Sequence, residues 1–510
     1  MSDALDRGIT VTELAPMDQP IAAPEETTAA FVGRALRGPL DTPILIRNFA
    51  EFRRRFGGVW TGSSLGPAVQ QFFAHGGKRL FVIRVANNAT GATLRLPAIH
   101  GTLTLRAVDP GSTERVRAAI DYDGIDPADG HCFNLTVQRV APDSGLIEDQ
   151  EIFTRLSCNP DDEAFIGEAL KSSDLVRVQL PVPANKPLAT GAGYVEHGEP
   201  GVDGSALSDY DLVGSAGHAT GLFALNRIEH FDLLYLPPPS HGTVPGPAAV
   251  LAAELYCRKR GAMLILDPPL EWKNARDAIR GVRDTGYAHA NVLTYFPRMY
   301  TRKDDGSPPR TVGGAIAGLL CKLDRTRGPW EELDQRGFTF DRELVPAIDV
   351  NAEAGHLLVK AGINVIAGTV PGHAMLCGSV TLACGTQVES ELSSLTSRRL
   401  CLFITNAIDR GTRWAVFEPS AGAVKDRVVT QVYTFMRALA RAGALEDDHF
   451  LVQCDAGWRS KPVDPERGIN VLIAFRPAGS TRTISLTLHQ TISGCRIAAT
   501  AFAPVRAECA

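Results

Sequence analysis

The 510-residue sequence lacks the signatures of several large protein classes. None of its ten cysteines forms a Cys-x-x-Cys pair, so zinc ribbons and thioredoxin-like redox sites are not indicated. We expect most of these cysteines to be small buried apolar residues in a reducing compartment. The longest weakly polar run, 312–320, is far shorter than the ~20 residues that span a bilayer, and the opening residues lack the apolar stretch of a signal peptide. The sequence therefore predicts a soluble protein made in the cytosol, without direct membrane insertion.

Positive charge is not in surplus either. The chain has 52 Lys and Arg against 57 Asp and Glu, a formal charge of −5, which argues against a nucleic-acid partner. Only ten of the basic residues are lysines, a bias that fits interface pairing or a GC-rich genome. With 44% hydrophobic and 21% charged residues the composition is that of an ordinary globular chain. Its length predicts roughly three to four domains.

Motifs of nucleotide sites, hydrolases and metalloproteases are absent. The sequence has no Gly-x-Ser-x-Gly elbow, no Walker A loop and no His-Glu-x-x-His helix. Gly191-Ala-Gly193 and Gly313-Gly314 lack the third glycine of a dinucleotide fingerprint and predict turns. We therefore predict a protein that is not an enzyme, with no catalytic residue, no bound metal and no cofactor.

One acidic residue remains a candidate for chemistry. Asp267 ends the apolar run 262–266, and open α/β sheets bind ligands at the carboxyl ends of parallel strands. With His218 or His241 and a serine it would suit a hydrolase, and in a ligand-binding α/β protein it would mark the pocket. The alternative, which we favour, is a structural Asp that ends the strand and caps the turn at Pro268-Pro269.

Hydrophobic periodicity divides the chain into segments of different character. A strand–helix–helix–strand order between 29 and 91 indicates an α/β unit. Short alternating runs between 92 and 180 are typical of an antiparallel β-sandwich, interrupted by a predicted helix at 161–172. Residues 181–204 are rich in Pro, Gly and Ala and predict a linker or long loop.

The later part of the chain alternates strands and helices, as parallel sheets covered on both faces do. The predicted strands and helices of the middle region are 231–239, 247–260, 262–269, 272–284 and 289–297. A final α/β unit has predicted strands at 363–366, 400–404 and 414–418 and a long helix at 425–441. Residues 483–489 alternate cleanly and predict a last strand.

The order of these segments resembles the tail-sheath proteins of contractile phages and related contractile injection systems. Each motif alone is weak, but their combination in this order over residues 29–475 is specific. The motifs that carry the resemblance include Phe31-Val-Gly-Arg-Ala35, Val82-x-Arg84-Val85, Ala107-x-x-Pro110-Gly111, Leu264-x-Leu-Asp267-Pro-Pro269, Tyr295-Phe-Pro297, Asp324-x-x-Arg327-Gly-x-Trp330, Gly362-Ile-Asn-Val-Ile366 and Trp414-x-Val416-Phe-Glu-Pro419. The sequence departs from the family at 376–382, where the family usually has Trp-Gly-x-Arg-Thr-Leu.

The resemblance implies an α/β multidomain fold. An inner α/β domain is expected from both chain ends, with an inserted antiparallel β-sandwich, a non-catalytic subtilisin-like α/β domain and extended terminal arms. The implied boundaries are 1–28 for the N-terminal arm, 29–91 for the first part of the inner domain, 92–190 for the sandwich, 191–350 for the subtilisin-like domain, 351–478 for the C-terminal sheath domain and 479–510 for the C-terminal arm and tail.

The resemblance also implies a structural role. Sheath subunits form homo-oligomeric rings, hexameric in the family, that stack around an inner tube and end at baseplate and tail terminator proteins. Contraction of an extended, metastable lattice then drives the tube through a target envelope. We expect assembly in the cytoplasm of the producing bacterium, followed by residence in a virion tail or an extracellular or cytoplasmic contractile particle.

Two sets of residues are candidates for assembly contacts. Strand addition between subunits is expected at the alternating segments that carry Ile9, Val11 and Glu13 at one end and Ile484, Leu486 and Leu488 at the other. A frayed terminus is the alternative for residues 1–28. Helix 425–441 carries Lys425, Arg427, Arg437 and Arg441, which by resemblance face the inner tube and by charge alone fit a solvated face equally well.

Overall fold

The computed structural model describes residues 20–22, 26–126, 129–191, 193–196, 198–240, 242–302, 306, 308–333, 337–370, 373–384, 392–417, 421–455, 468–491 and 494–504. The chain forms two compact units. The first comprises Glu26–Arg327 and Glu332–Leu395, and the second comprises Met1–Glu25, Gly328–Glu331 and Thr396–Ala510.

The first unit opens with the predicted strand–helix–helix–strand segment. Its elements are β1 (Thr28–Gly33), β2 (Ile44–Ile46), α1 (Phe49–Phe56), α2 (Leu65–Ala74) and β3 (Arg79–Arg84). The Asn48 side chain accepts a hydrogen bond from the Glu51 N–H and starts α1, as N-cap residues do. The helix ends at Gly57, whose φ of 89° lies in the left-handed region that glycine adopts without strain.

The next segment builds the antiparallel sandwich. Its strands are β4 (Thr93–Ala98), β5 (Gly101–Ala107), β6 (Val116–Asp121), β7 (Cys132–Val140), β8 (Ile147–Ser157) and β9 (Val176–Gln179). They form two three-stranded sheets, β4-β5-β9 and β6-β7-β8, that share one apolar core including Leu103 and Phe133. The helix predicted at 161–172 is shorter, reduced to α3 (Ile166–Ala169) and a 3₁₀ turn.

The rest of the first unit alternates strands and helices. Its elements are α4 (Asp209–Val213), β10 (Leu233–Tyr235), α5 (Pro247–Arg260), β11 (Met263–Leu266), α6 (Ala275–Thr285), β12 (Val292–Phe296), β13 (Met299–Thr301), α7 (Gly313–Thr326), β14 (Leu344–Pro346), α8 (Ala352–Lys360), β15 (Asn364–Val370) and β16 (His373–Cys377). Helices α5, α6 and α8 connect successive parallel strands and pack apolar side chains on the sheet. The predicted parallel sheet is therefore confirmed.

One eight-stranded sheet joins the strands on both sides of the sandwich. Its order is β16-β15-β12-β11-β10-β1-β3-β2, and β1 pairs in parallel with both β10 and β3. The predicted separation of 29–91 from 191–350 is therefore wrong for the sheet, because strands of both segments lie side by side. Parallel pairing between strands so distant in the chain leaves no signal in the local pattern of either one.

Two largely buried arginines make contacts within their own segments, one beside the sheet and one in the sandwich. Arg84 is 1% exposed and donates to the backbone oxygens of Ala35 at 3.0 Å and Gly38 at 2.5 Å. Burial lowers the pKa of its guanidinium to about 10, so it remains charged at neutral pH. Arg139 of β7 binds Glu114 at 2.6 Å and Asp109 at 2.9 Å. These contacts satisfy charges that would otherwise be costly to bury.

The second unit combines two long helices with an antiparallel sheet. Its elements are α9 (Leu395–Thr412, which starts at the boundary between the units), α10 (Ala421–Arg441), β17 (Leu451–Asp455), β18 (Gly468–Phe475), β19 (Arg482–Thr491) and β20 (Gly494–Pro504), with the strands in the order β17-β18-β19-β20. The predicted long helix is confirmed and begins four residues earlier than 425.

Three predicted strands of the final α/β unit behave differently. Residues 400–404 lie inside α9, and 414–418 overlap the 3₁₀ turn Arg413–Val416, so both strand predictions are wrong. A run of four or five apolar residues looks the same in a buried helix and in a buried strand. Only the length of the whole segment and its flanking residues separate the two. The strand predicted at 363–366 lies in β15, which pairs with β12 in the first unit rather than with the sheet of the second.

Candidate functional site: the strand-end carboxylate and the assembly surfaces

Asp267 follows β11 at the carboxyl end of the parallel sheet. Its carboxylate accepts a hydrogen bond from the Tyr235 hydroxyl at the end of β10 and another from the Gly313 N–H at 3.0 Å, where α7 begins. The hydrogen bonds of the Asp267 side chain thus link the end of β10 to the start of α7. The predicted role as a cap of the Pro268-Pro269 turn is not the role that these hydrogen bonds show.

The surroundings of Asp267 act on the pKa of its carboxyl in opposite directions. Burial raises the pKa of its carboxyl above the usual range, while the hydrogen bond from Tyr235 and the positive charge of Arg298 act in the opposite direction. Burial and the neighbouring carboxylate raise the pKa of Tyr235 well above its usual value, so its hydroxyl stays a donor. Among the described residues no histidine hydrogen-bonds Asp267, and His241 lies outside them. The arrangement is that of a helix anchor.

Arg298 is a member of this cluster that the sequence did not single out. It is 4% exposed, and its Nε donates to the Pro268 backbone oxygen at 2.6 Å. Burial lowers the pKa of the guanidinium, and the Asp267 charge raises it. The only sequence signal was its position directly after Tyr295-Phe-Pro297, and that position does not separate a buried arginine from an exposed one.

The C-terminal arm candidates lie inside a sheet. Ile484, Leu486 and Leu488 alternate along β19, are fully buried, and face the same side of the sheet. β19 is hydrogen-bonded to β18 on one side and to β20 on the other. Its two edges are thus occupied by its own chain, and the outer strands of this sheet, as described, are β17 and β20.

The residues after Gln490 belong to this sheet as well. They form β20, which pairs with β19 from Arg482 opposite Pro504 to Thr491 opposite Gly494. The N-terminal arm candidates Ile9, Val11 and Glu13 lie outside the described residues.

The four basic side chains of α10 do not form one surface. Lys425, Arg437 and Arg441 are exposed, whereas the Arg427 guanidinium lies over the Trp414 ring, 4.1 Å from its centroid. The indole N–H of that tryptophan donates to Gln431 at 3.1 Å. Arg427 is therefore used within the chain, and the other three remain available for a partner.

Several features bear on other functions. No helix in the described ranges is long and apolar enough to cross a membrane. The same ranges hold no group of three or more His, Cys, Asp or Glu side chains arranged for a metal ion. Six of the eight described cysteines are buried, as predicted for most of them.

Comparison with known proteins gives a result at the level of structure alone. No protein-family model matches the chain, and no curated protein matches its sequence. A sheath tail protein of Listeria innocua superposes with a TM-score of 0.62 at 11% identity, over 92% of this chain and 96% of that one. A sheath tail protein of Desulfitobacterium hafniense gives 0.55 at 13% identity, over 95% and 100%.

A third solved structure is an assembly. The sheath complex of an extracellular contractile injection system (PVC), in its contracted state, gives a TM-score of 0.53 at 13% identity, over 94% of this chain and 96% of that one. This chain has the fold of the contractile-sheath proteins. The resemblance inferred from the ordered motifs is thereby confirmed, and it extends over nearly the whole of both chains rather than over one shared domain.

Proposed function

We propose that this chain is a structural sheath subunit that polymerises as stacked rings around an inner tube and contracts to drive the tube through a target envelope. The observation that carries the proposal is the full-length likeness to sheath tail proteins, 96% and 100% of which are covered. A likeness confined to the α/β sheet would also fit a hydrolase, since proteins with the same kind of sheet have many different functions. Agreement through the sandwich and the C-terminal unit favours a shared architecture of assembly.

Self-association and its partners follow from the same proposal. Solved relatives in fold include a contracted helical sheath and a six-fold symmetrised baseplate of the anti-feeding prophage. We infer that this chain forms hexameric rings and contacts an inner tube, a baseplate and a tail terminator. The energy for contraction comes from new burial between subunits, since the sequence has no nucleotide-binding motif. The particle assembles in the bacterial cytoplasm and then acts as a virion tail or a contractile particle.

Strand addition is proposed as the link between subunits. The segment around Ile9, Val11 and Glu13 has the alternation that an added strand requires. Because Ile484, Leu486 and Leu488 lie on a strand paired on both sides, the partner edge for an incoming arm is β17 or β20. The C-terminal strand thus serves as part of the receiving sheet in this proposal, and the subtilisin-like part of the first unit serves as a rigid, non-catalytic body.

Negative-stain microscopy of the purified protein tests the function. Striated hollow tubes or stacked rings are expected, and protein that stays monomeric at all concentrations would contradict the proposal. Deleting residues 1–14 tests the arm: the shortened protein should remain soluble, with an unchanged circular-dichroism spectrum, and form no tubes. Intact tubes from the shortened protein would overturn the arm but leave the sheath function in place.

A further inference from the structure

Charge is unevenly distributed along the chain. Residues 92–204, which contain the sandwich, carry nine Lys and Arg against eighteen Asp and Glu. The whole chain carries a formal charge of only −5, so the remaining residues are net positive. An acidic module on a basic body is able to bind a second copy of the same chain through unlike charges.

Six of the eighteen acidic residues in this segment lie in loops at one end of the sheet β6-β7-β8. β6 ends at Asp121 opposite Asn134, and β7 begins at Cys132 opposite Ser157 at the end of β8. The loops at this end carry what we call the acidic tip: Asp123, Asp126, Asp129, Asp161, Asp162 and Glu163.

Three carboxylates of the acidic tip have no use within the chain. Asp123, Asp161 and Glu163 are exposed, and their side chains accept no hydrogen bond and form no ion pair among the described residues. By contrast, Asp129 and Asp162 accept backbone hydrogen bonds that shape their loops. The tip therefore presents negative charge that no described cation neutralises at these three positions.

A complementary surface lies on α6. Arg276, Arg280 and Arg283 are separated by four and three residues, which places them on one face of the helix, and Lys273 lies two residues before the helix begins; these four residues are here called the basic stripe. All four are exposed, and within the described chain none of their side chains forms an ion pair or a hydrogen bond. Ala278 and Val282 occupy the opposite, buried face of the helix.

The carboxylates near the basic stripe do not cancel it. Asp277 is bonded to Asn274 at the start of α6, 2.7 Å from its side-chain nitrogen. Asp284 flanks the far end of the helix, and Asp349 and Glu353 line the pocket beside Arg276, but none of these carboxylates forms an ion pair with the four cations among the described residues. These four exposed cations, at and just before α6, therefore form a charged surface that has no ion-pair partner in the described part of the chain.

We propose that the basic stripe of one subunit docks on the acidic tip of a second copy. The inference rests on the proposed function, because self-assembly is what brings the two copies together. The two surfaces are opposite in charge, both are exposed, and they do not pair within one described chain. The contact is screened by salt, since its charges lie at the surface, and it sets the register between neighbours more than their affinity.

Paired charge reversals test this contact in the full-length protein. One variant carries Arg276→Glu, Arg280→Glu and Arg283→Glu, a second carries Asp123→Lys, Asp161→Lys and Glu163→Lys, and a third combines all six. A control carries Arg47→Glu, Arg53→Glu and Arg54→Glu, three exposed arginines at and before α1 with the same change of charge. The pelletable fraction is measured by sedimentation at about 0.05 and about 0.5 M salt, and tubes are counted by microscopy.

Each single-surface variant should lose assembly by at least about tenfold at low salt, and the combined variant should recover most of it. The control should assemble like the wild type. A combined variant as defective as the single-surface variants, or a stripe variant that assembles normally, would overturn the docking while wild-type tubes still uphold the proposed function. Loss of tube-protein binding alone, with normal self-assembly, would assign the stripe to another acidic partner. A wild type that never assembles overturns both.

Discussion

The Arg37 guanidinium and the Glu148 carboxylate form an ion pair with two hydrogen bonds, of 2.7 and 3.0 Å. Arg37 lies in the loop after β1, and Glu148 lies near the start of β8 in the sandwich. The same guanidinium donates to the backbone oxygen of Arg54 at 2.8 Å. The two side chains are only 9% and 18% exposed, so this pair fixes the sandwich to the sheet in a poorly solvated place.

Glu148→Ala should destabilise the protein because it leaves the Arg37 charge buried without its partner. We expect a loss of about 3 kcal/mol in the free energy of unfolding, measured in urea, at the low end for a buried pair because both side chains keep some exposure. Arg37→Ala with Glu148→Ala should cost less than the two single changes added together, since the uncompensated charge is gone. Glu199→Ala, which removes an exposed pair with Arg95, is the matched control and should cost under about 1 kcal/mol. Equal losses for the buried and exposed pairs would contradict this account.

His75 makes stability depend on pH. The Asp341 N–H donates to His75 Nε2 at 3.2 Å, so Nε2 must be unprotonated and Nδ1 donates to the Gln71 backbone oxygen at 2.8 Å. Burial lowers the pKa of the imidazole, with Lys322 adding to the lowering and with Gln71 and Asp341 opposing it. Since the unfolded chain then binds the proton more readily, stability falls as pH drops through about 6.5.

The His75→Gln variant removes this titration. Between about pH 7.5 and about pH 5.5 its melting temperature should fall less than that of the wild type. At the higher pH the variant should be less stable than the wild type by about 1 kcal/mol, because it loses a hydrogen bond. His218→Gln, at an exposed histidine, should leave the wild-type pH dependence unchanged. If His75→Gln follows the wild-type curve in parallel, the pH dependence has another source.

The Asp267→Ala variant tests whether this carboxylate has a structural or a catalytic role. Removing the acceptor leaves the Tyr235 hydroxyl and the Gly313 N–H without their partner, and we expect a loss of about 2–4 kcal/mol. Tyr235→Phe removes only one donor and should cost less. Wild-type protein incubated with peptide and ester substrates should show no hydrolysis above that of the Asp267→Ala variant. Turnover that disappears in the variant would favour the hydrolase.

We expect the three exposed basic residues of α10 to contribute to binding of a partner rather than to stability. Lys425→Glu, Arg437→Glu and Arg441→Glu together alter exposed side chains, so the melting temperature should stay within about 2 °C of the wild type. Binding to a co-expressed inner tube protein should weaken, as judged by co-purification, and each exposed pair contributes about 0–1 kcal/mol.

Arg427→Ala is the matched comparison because it removes the guanidinium from the Trp414 ring. It should lower stability by about 1 kcal/mol and leave tube binding unchanged. Undiminished tube binding by the triple variant would show that these three residues face solvent.

Local patterns predicted those elements whose own side chains decide their structure. α5 has the predicted bounds 247–260, because Pro247 suits the first turn of a helix and Gly261, with a φ of 65°, ends it. β19 was found from strict alternation, since a half-buried strand must place every second side chain in the core. The ordered motifs identified the fold class for a related reason, as each marks a turn or a buried position that the fold requires.

The tertiary structure decided the rest. Residues 400–404 are apolar enough for a strand, and packing within the second unit makes them part of α9. The pairing of β1 with β10, the anchoring of α7 by Asp267 and the pairing of Arg37 with Glu148 all join residues far apart in the chain. Composition and the order of the motifs were enough to predict the class of the fold and the overall balance of charge. Ion pairing depends on distance in space and not on distance along the chain. The folded structure is therefore needed to see which charges are paired inside the molecule and which, as on the basic stripe and the acidic tip, stay exposed.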